Sequence, residues 1–151
     1  MHQTLGGGLT LVGAAILMDV HKRFLFAQRP AGKSWEGHLE FPGGKIHEGE
    51  SPRIGLAREL KEELGIKVAP EALKPLSFIE HTYQEGNILM LAYRCDQWLG
   101  TPEGLEGQPL MWLRLSELQG HKVLPADDPL LNLLDLMTGK GSLGPADKPA
   151  L

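Results

Sequence analysis

Apolar residues recur along the chain in short runs, most of which predict strands. Residues 9–18 form a nearly continuous apolar run, and residues 23–28 form another after the polar segment 19–22. Two such runs joined by a short polar segment predict a β-hairpin. Further strands are predicted at residues 39–41, 75–83, 87–94 and 110–113, the second and third of them paired across a turn at 84–86.

One helix is predicted together with both of its ends. Ser51 is a good N-cap, Pro52 suits the first helical position, and Gly65 suits the position after the last turn. Between these ends, residues spaced by three and four positions give the helix at 52–64 one apolar face: Ile54, Ala57, Leu60 and Leu64. A second helix is predicted near residues 130–137, with Asp127 or Asp128 as its cap.

Hairpins mixed with two helices predict an α/β domain with a mixed central sheet and helices on both faces. A chain of 151 residues suits one compact domain and leaves little room for a second. We expect residues 1–138 to form this domain. Residues 139–151, rich in Gly, Pro and Lys, are expected to form a flexible tail.

Composition narrows the classes of function. The formal net charge of −4 argues against a nucleic-acid-binding protein with a broad basic face. The apolar run at 9–18 has no Lys or Arg before it and is too short to span a bilayer, so we expect no membrane partner and a cytoplasmic location. The single cysteine, Cys95, excludes an intramolecular disulfide.

Three glutamates of the predicted helix carry the candidate chemistry. Glu59, Glu62 and Glu63 stand at spacings that place their carboxylates on one helix face, within about 6 Å of one another. Like charges this close repel, and a bound divalent cation would offset the repulsion. Oxygen ligands without His or Cys favour Mg²⁺, with Mn²⁺ possible. The alternative is a solvated acidic face, partly matched by Arg58 and Lys61.

The residues around these glutamates form a longer pattern. Nine fixed positions across 23 residues match G-x5-E-x7-R-E-U-x-E-E-x-G-U, where U is a bulky aliphatic residue: Gly44, Glu50, Arg58, Glu59, Leu60, Glu62, Glu63, Gly65 and Ile66. This pattern resembles the signature of the Nudix hydrolase family without a mismatch. The resemblance implies the Nudix α/β/α sandwich and a metal site made by Glu59, Glu62, Glu63 and the carbonyl of Gly43. It also implies structural roles for four residues: Gly44, Glu50, Arg58 and Gly65.

The resemblance extends beyond this motif, over residues 9 to about 137. Residues 39–46, Arg29 and residues 125–127 look like the MutT branch, the 8-oxo-dGTP diphosphatases. That branch implies a fourth catalytic and metal-binding carboxylate, Glu106, beside Glu59, Glu62 and Glu63. The general base is left open among Glu59, Glu62 and Glu106. It also implies a set of substrate-binding residues: Arg29, Glu40, Phe41, Pro42, Gly43 and Asp127.

The resemblance therefore implies a monomeric, Mg²⁺-dependent enzyme that splits a nucleoside triphosphate into the monophosphate and pyrophosphate. The favoured substrate is 8-oxo-dGTP, which would place the protein in sanitation of the nucleotide pool. Asp127 departs from the Asn usual in this branch, and an Asp also occurs there in relatives that resemble CTP or oxidised-pyrimidine pyrophosphohydrolases. Asp127 is open between contact with the base and a helix cap.

Two more distant alternatives remain, an ADP-ribose pyrophosphatase and a nucleotide sensor without catalysis. The three tryptophans are expected to pack rather than to stack on a base: Trp35, Trp98 and Trp112.

Overall fold

The computed structural model describes residues 4–5, 8–84 and 86–138, so the predicted tail at 139–151 lies outside the described residues. The strands are β1 Thr4–Leu5, β2 Leu9–Leu17, β3 Phe24–Gln28, β4 Leu39–Glu40, β5 Gly43–Lys45, β6 Lys74–Tyr83, β7 Gly86–Cys95 and β8 Leu110–Leu113. The α-helices are α1 Pro52–Leu64 and α2 Asp128–Thr138. Short 3₁₀ helices span Pro70–Ala72, Leu115–Glu117 and Pro125–Asp127.

The strands form two sheets. The larger, five-stranded sheet runs β1-β2-β7-β6, with β5 also paired to β2, and the smaller sheet runs β4-β3-β8. The larger sheet is mixed because β2 pairs in parallel with β7, whereas its other pairings are antiparallel. The predicted pairing of β6 with β7 is confirmed, with Tyr83 opposite Gly86 at the turn.

Strand β2 is covered on both faces, which explains its continuous apolar sequence. Ala14 and Ile16 belong to one core cluster, which includes Leu130 and Leu134 of α2. The alternate residues, Ala15 and Leu17, belong to a second cluster, which includes buried leucines of α1: Leu56, Leu60 and Leu64. Because successive side chains of a strand point to opposite faces, the two helices lie on opposite sides of β2. The predicted α/β architecture is confirmed.

The predicted hairpin of residues 9–18 with 23–28 is wrong beyond its turn. Between Asp19 and Arg23 the chain does turn, and one antiparallel bridge joins Met18 to Phe24. The two strands then separate, because β2 takes β7 and β5 as neighbours while β3 joins β4 and β8 in the smaller sheet. A tight turn fixes the direction of the chain but does not decide which strand each edge pairs with.

Helix α1 begins and ends where the sequence predicts. The Ser51 hydroxyl accepts a hydrogen bond from the Ile54 N–H, and Gly65 adopts the left-handed conformation with φ 74°. The predicted apolar face is partly wrong, because Ile54 is 54% exposed. The buried stripe instead runs through Gly55 and the leucines at 56, 60 and 64. No helix in the described ranges is long and apolar enough to cross a membrane.

Candidate active site

A cleft of about 620 Å³ lies beside β2, between the segment at residues 39–45, helix α1 and the segment before β8. We call it the acidic cleft. Nine of the residues singled out by sequence line it: Arg29, Glu40, Phe41, Gly43, Gly44, Glu59, Glu63, Glu106 and Asp127. The fold therefore gathers residues from five distant segments around one space. Pro42 is buried beside it, with its carbonyl accepting a hydrogen bond from Ala15.

Gly43 and Gly44 bring the backbone of β5 against the carboxylates of α1. The Gly43 N–H donates a hydrogen bond to Glu63 Oε1 at 3.2 Å. A Cβ atom on Gly44 would stand only 2.5 Å from the Glu59 carboxyl carbon, and one on Gly43 would collide with the Gly13 carbonyl of β2. This close approach explains why the sequence carries two glycines here.

Arg58 and Glu50 tie the loop after β5 to the helix. Two nitrogens of the Arg58 guanidinium donate to the two Glu50 carboxylate oxygens, at 3.1 and 2.7 Å. These hydrogen bonds lower the pKa of Glu50 to about 2 and raise the pKa of Arg58. A third bond runs from Arg58 to the Lys45 carbonyl at 3.1 Å. Through these hydrogen bonds Arg58 holds Glu50 and the Lys45 carbonyl against α1.

The Arg58 side chain also reaches two of the motif's other glutamates. Its Nη1 lies 3.4 Å from Glu59 Oε2 and 3.1 Å from Glu62 Oε1. The Glu62 side chain is 55% exposed and does not line the acidic cleft. Glu59 and Glu63 face into the cleft, whereas Glu62 stands at its outer side, held by Arg58.

Burial and mutual repulsion disfavour charge on the carboxylates of the cleft. Burial raises the pKa of Glu63 to about 8, and Glu59 and Glu106 add to that rise, while the Gly43 N–H opposes it. Burial likewise raises the pKa of Glu59, with Arg58 acting in the other direction. Buried carboxyl groups that repel one another in this way are stabilised in their charged form by a cation.

The donor set fits a hard divalent cation, because it consists of carboxylates and a backbone carbonyl. In the described part of the chain, no three His, Cys, Asp or Glu side chains already converge on one metal position. Repulsion keeps the carboxylates apart, and Arg58 draws Glu59 aside. Binding a cation would require these side chains to turn toward one another.

Glu106 is held at the cleft by a residue that the sequence analysis missed. The Gln108 side chain donates to the Glu63 carbonyl at 3.0 Å and accepts from the Glu106 N–H at 2.9 Å. The Leu105 N–H also donates to the Glu63 carbonyl, at 3.1 Å. The segment is thus fastened to the end of α1. A glutamine next to a Glu-Gly pair is only a weak signal in the sequence, because its partner is 45 positions away.

Asp127, which also lines the cleft, is buried, with 4% of its surface exposed. Its Oδ2 accepts a hydrogen bond from the Phe41 N–H at 3.0 Å. This bond links the 3₁₀ helix before α2 to the loop after β4. Burial raises the pKa of Asp127 to about 7, although the bond from Phe41 opposes the rise, and Glu40 adds to it. Asp127 is therefore poised between acceptor and donor near neutral pH.

Arg29 and Trp35 also line the cleft. Arg29 donates to the Ser34 carbonyl and hydroxyl, both at 3.1 Å, and lies 3.5 Å from Glu40. Trp35 is 43% exposed, lines the cleft and meets the Tyr83 ring edge-on at 6.3 Å. Trp35 packs only in part, against the rings of His38 and Tyr83, and that it does not stack on a base stays a prediction. The expectation of packing is confirmed for Trp98 and Trp112, which stack on each other and pack against the second core cluster.

Comparison with known proteins agrees with this architecture. The model of the NUDIX domain matches residues 9–134, and the chain belongs to the Nudix family. Its relatives make it a Nudix hydrolase that acts as a pyrophosphohydrolase. Nudix hydrolases generally use divalent metal ions.

Two relatives from Escherichia coli K12 carry different names. An 8-oxo-dGTP diphosphatase is 32% identical over 120 residues, covering 80% of this chain and 92% of the relative. A CTP pyrophosphohydrolase is 38% identical over 119 residues, covering 78% and 85%. Among solved structures, the E. coli ORF135 protein aligns with a TM-score of 0.74 at 34% identity, over 92% of this chain and 95% of that one.

Proposed function

We propose that this protein hydrolyses 8-oxo-dGTP to 8-oxo-dGMP and pyrophosphate in a Mg²⁺-dependent reaction that sanitises the cytoplasmic nucleotide pool. The proposal rests chiefly on one observation, a shared cleft whose lining combines the carboxylates of Glu59, Glu63 and Glu106 with Asp127. A cleft of this composition suits a ligand with both a polyphosphate and a base. The relatives named 8-oxo-dGTP diphosphatase support the choice of substrate.

The carboxylates of the cleft would handle the polyphosphate. Glu59, Glu63, Glu106 and the Gly43 carbonyl would hold the divalent cation, with Glu62 joining from the outer side. When bound, the cation neutralises developing charge on the phosphates and lowers the pKa of the attacking water. A carboxylate of this group accepts the water proton. Arg29 binds phosphate or sugar, once its bond to Glu40 gives way to the substrate.

Asp127 and the backbone at Phe41 would contact the base. The two residues are joined by a hydrogen bond from the Phe41 N–H to the Asp127 carboxylate. An ionised Asp127 accepts an N–H from a purine edge, and a protonated one donates to a carbonyl oxygen. An oxidised guanine offers both kinds of group on its edges. The raised pKa of Asp127 supports this dual use.

A substrate panel tests the proposal. Values of kcat/KM for 8-oxo-dGTP, dGTP, dCTP, 5-hydroxy-dCTP and ADP-ribose are measured with Mg²⁺ by chromatographic quantification of the nucleoside monophosphate product. We expect 8-oxo-dGTP to lead, and Glu63→Gln and Glu62→Gln each to lower turnover by about a hundred-fold or more. Equal turnover by wild type and Glu63→Gln would refute the assigned site.

The competing substrate is (d)CTP or an oxidised pyrimidine nucleotide. The 38% identical relative named CTP pyrophosphohydrolase favours it, as does an Asp rather than an Asn at position 127. A higher kcat/KM for dCTP than for 8-oxo-dGTP would replace the first proposal with this one. Hydrolysis of none of the five compounds would leave a nucleotide sensor as the better description.

A further inference from the structure

A second cavity, of about 700 Å³, lies at the far end of β2 from the acidic cleft. In this part of the chain Ile16 and Met18 line the second cavity, whereas Val12, Gly13 and Ala14 line the acidic cleft. The two spaces share no lining residue. The final turn of α2 closes one side through Met137 and Thr138. No role in the proposed hydrolysis falls to this space.

The inner part of this cavity is apolar and preformed. Ile16, Phe24 and Leu134 line it while being at most 5% exposed, so their packing within the first core cluster fixes its shape. Small-molecule sites in proteins commonly combine this volume with an apolar lining and a few polar groups. Most of the charged side chains that line this cavity are positive.

Four basic residues line the cavity with one acid, Asp96: Lys22, Lys74, Arg94 and Arg114. Within the described ranges, none of these four forms an ion pair, whereas Arg23, Arg29 and Arg58 all do. An excess of three positive charges therefore surrounds this opening on a chain whose net charge is −4. We call it the basic-rimmed cavity.

Two of these cations stand in an arrangement that a bound anion would relieve. Lys74 of β6 and Arg94 of β7 are direct partners across the antiparallel pair. Directly opposed residues have Cβ atoms roughly 5 Å apart, and like charges in this position destabilise a sheet. An anion between them would turn the repulsion into two charge-assisted hydrogen bonds.

We propose that the basic-rimmed cavity binds a small amphipathic anion, with its acidic head between Lys74 and Arg94 and its apolar body against Ile16, Phe24 and Leu134. Charge complementarity selects the head, and the apolar lining selects the body. The site is separate from the acidic cleft, so it is filled whether or not a nucleotide is bound.

Calorimetric titration with decanoate, kept below its micelle concentration, tests the site. Decanol and decyltrimethylammonium are the neutral and cationic controls. We expect decanoate to bind with one-site stoichiometry and the double variant K74Q/R94Q to weaken binding by about ten-fold or more, since both charge-assisted hydrogen bonds to the carboxylate are lost. The matched double variant K67Q/K122Q, which removes two exposed charges elsewhere, should bind as wild type does.

Methyl NMR shifts locate the ligand. We expect decanoate to shift Ile16 and Leu134 and to leave Val12 and Ile88 of the acidic cleft unchanged. Equal affinity for decanoate and decanol, shifts confined to the acidic cleft, or unchanged binding by K74Q/R94Q would each overturn the proposal. The proposal would also be overturned if a second copy of the chain, or residues 139–151, were found to contact the same side chains. If K74Q/R94Q unfolds, the single variants Lys74→Gln and Arg94→Gln carry the same expectation of weaker binding.

Discussion

The proposed role of Glu63 as a metal ligand couples its protonation state to metal binding. Glu63, with its pKa near 8, holds a proton at pH 7 in the metal-free protein. A cation must displace that proton to use the carboxylate as a ligand. The same residue therefore links affinity for the cation to pH, so that affinity rises as the pH rises toward 8.

Metal binding is accordingly predicted to release protons. At pH 7, Mg²⁺ added to metal-free protein should release about one proton per molecule. Calorimetry in buffers of different ionisation enthalpy measures this release. Glu63→Gln should remove most of it, and Glu71→Gln, a change at an exposed 3₁₀-helix position, should leave it intact. A heat of binding independent of the buffer would contradict the assignment.

The raised pKa of Asp127 predicts that its contribution to the free energy of unfolding falls as the pH rises, whereas that of a salt-bridged acid falls as the pH drops. Its pKa is raised from an ordinary 3.8 to about 7, so the stability it contributes is present below pH 4 and is lost as the pH rises through 7. Asp127→Asn keeps an oxygen to accept from Phe41 and removes the buried charge.

The Asn variant should therefore unfold less readily than wild type at pH 8, by about 1–4 kcal/mol, and equally at pH 4. Urea unfolding at both pH values measures the difference. Asp128→Asn alters an exposed neighbour and should change stability far less. A variant that loses stability at pH 8 would show that the Asp127 charge is favourable in the fold.

At the scale of elements, the site depends on how closely β5 approaches α1. Gly44→Ala places a methyl group against the Glu59 carboxylate. We expect a loss of about 1–3 kcal/mol in the free energy of unfolding, together with a loss of activity. The double variant G44A/E59A should recover stability without recovering activity. Unchanged stability in Gly44→Ala would mean that β5 has room to move.

The segment that carries Glu106 depends on its attachment to the end of α1. Gln108→Ala removes both side-chain hydrogen bonds, to the Glu63 carbonyl and from the Glu106 N–H. Turnover should fall about ten-fold because the carboxylate is less well positioned, while the melting temperature changes little. Gln108→Glu keeps an acceptor for the Glu106 N–H, and its turnover should lie between those of wild type and Gln108→Ala. Wild-type turnover in Gln108→Ala would remove the positioning role.

The elements that sequence predicted well are those fixed by local interactions. The cap at Ser51, the Pro at position 52 and the left-handed Gly65 set the ends of α1 without help from the rest of the molecule. Its rotation is set by tertiary contacts, since Gly55 must face the Glu50 carboxylate, and this turns Ile54 toward solvent. Pairing of β2 and the reach of Gln108 depend on distant partners, so no local pattern encodes them.

The site divides in the same way. The motif identifies the carboxylates, because a helix of known ends fixes their spacing. It does not distinguish Glu62, which faces outward to Arg58, from Glu63, which is buried against Gly43. That difference arises from the loop packed on the helix.

Across the whole molecule, β2 separates two cores that should respond independently. Ile16 belongs to the cluster with α2, and Ile66 belongs to the cluster with α1. Ile16→Val and Ile66→Val should each lower the free energy of unfolding by about 0.5–1.5 kcal/mol. The double variant should lose the sum, within about 0.5 kcal/mol, in denaturant titrations. A larger discrepancy would show that strain passes through the strand.

The parallel pairing of β2 with β7 has a consequence for how the chain folds. Leu9 of β2 lies opposite Asn87 of β7. The centre of the larger sheet therefore joins two strands that are separated along the chain by β3, β4, β5, α1 and β6. The β6–β7 hairpin closes a short loop and can form early, whereas β2 must wait for a long loop to close. During synthesis, β2 leaves the ribosome well before β7 exists. The edge of β2 that pairs with β7 therefore remains unpaired until β7 has been synthesised.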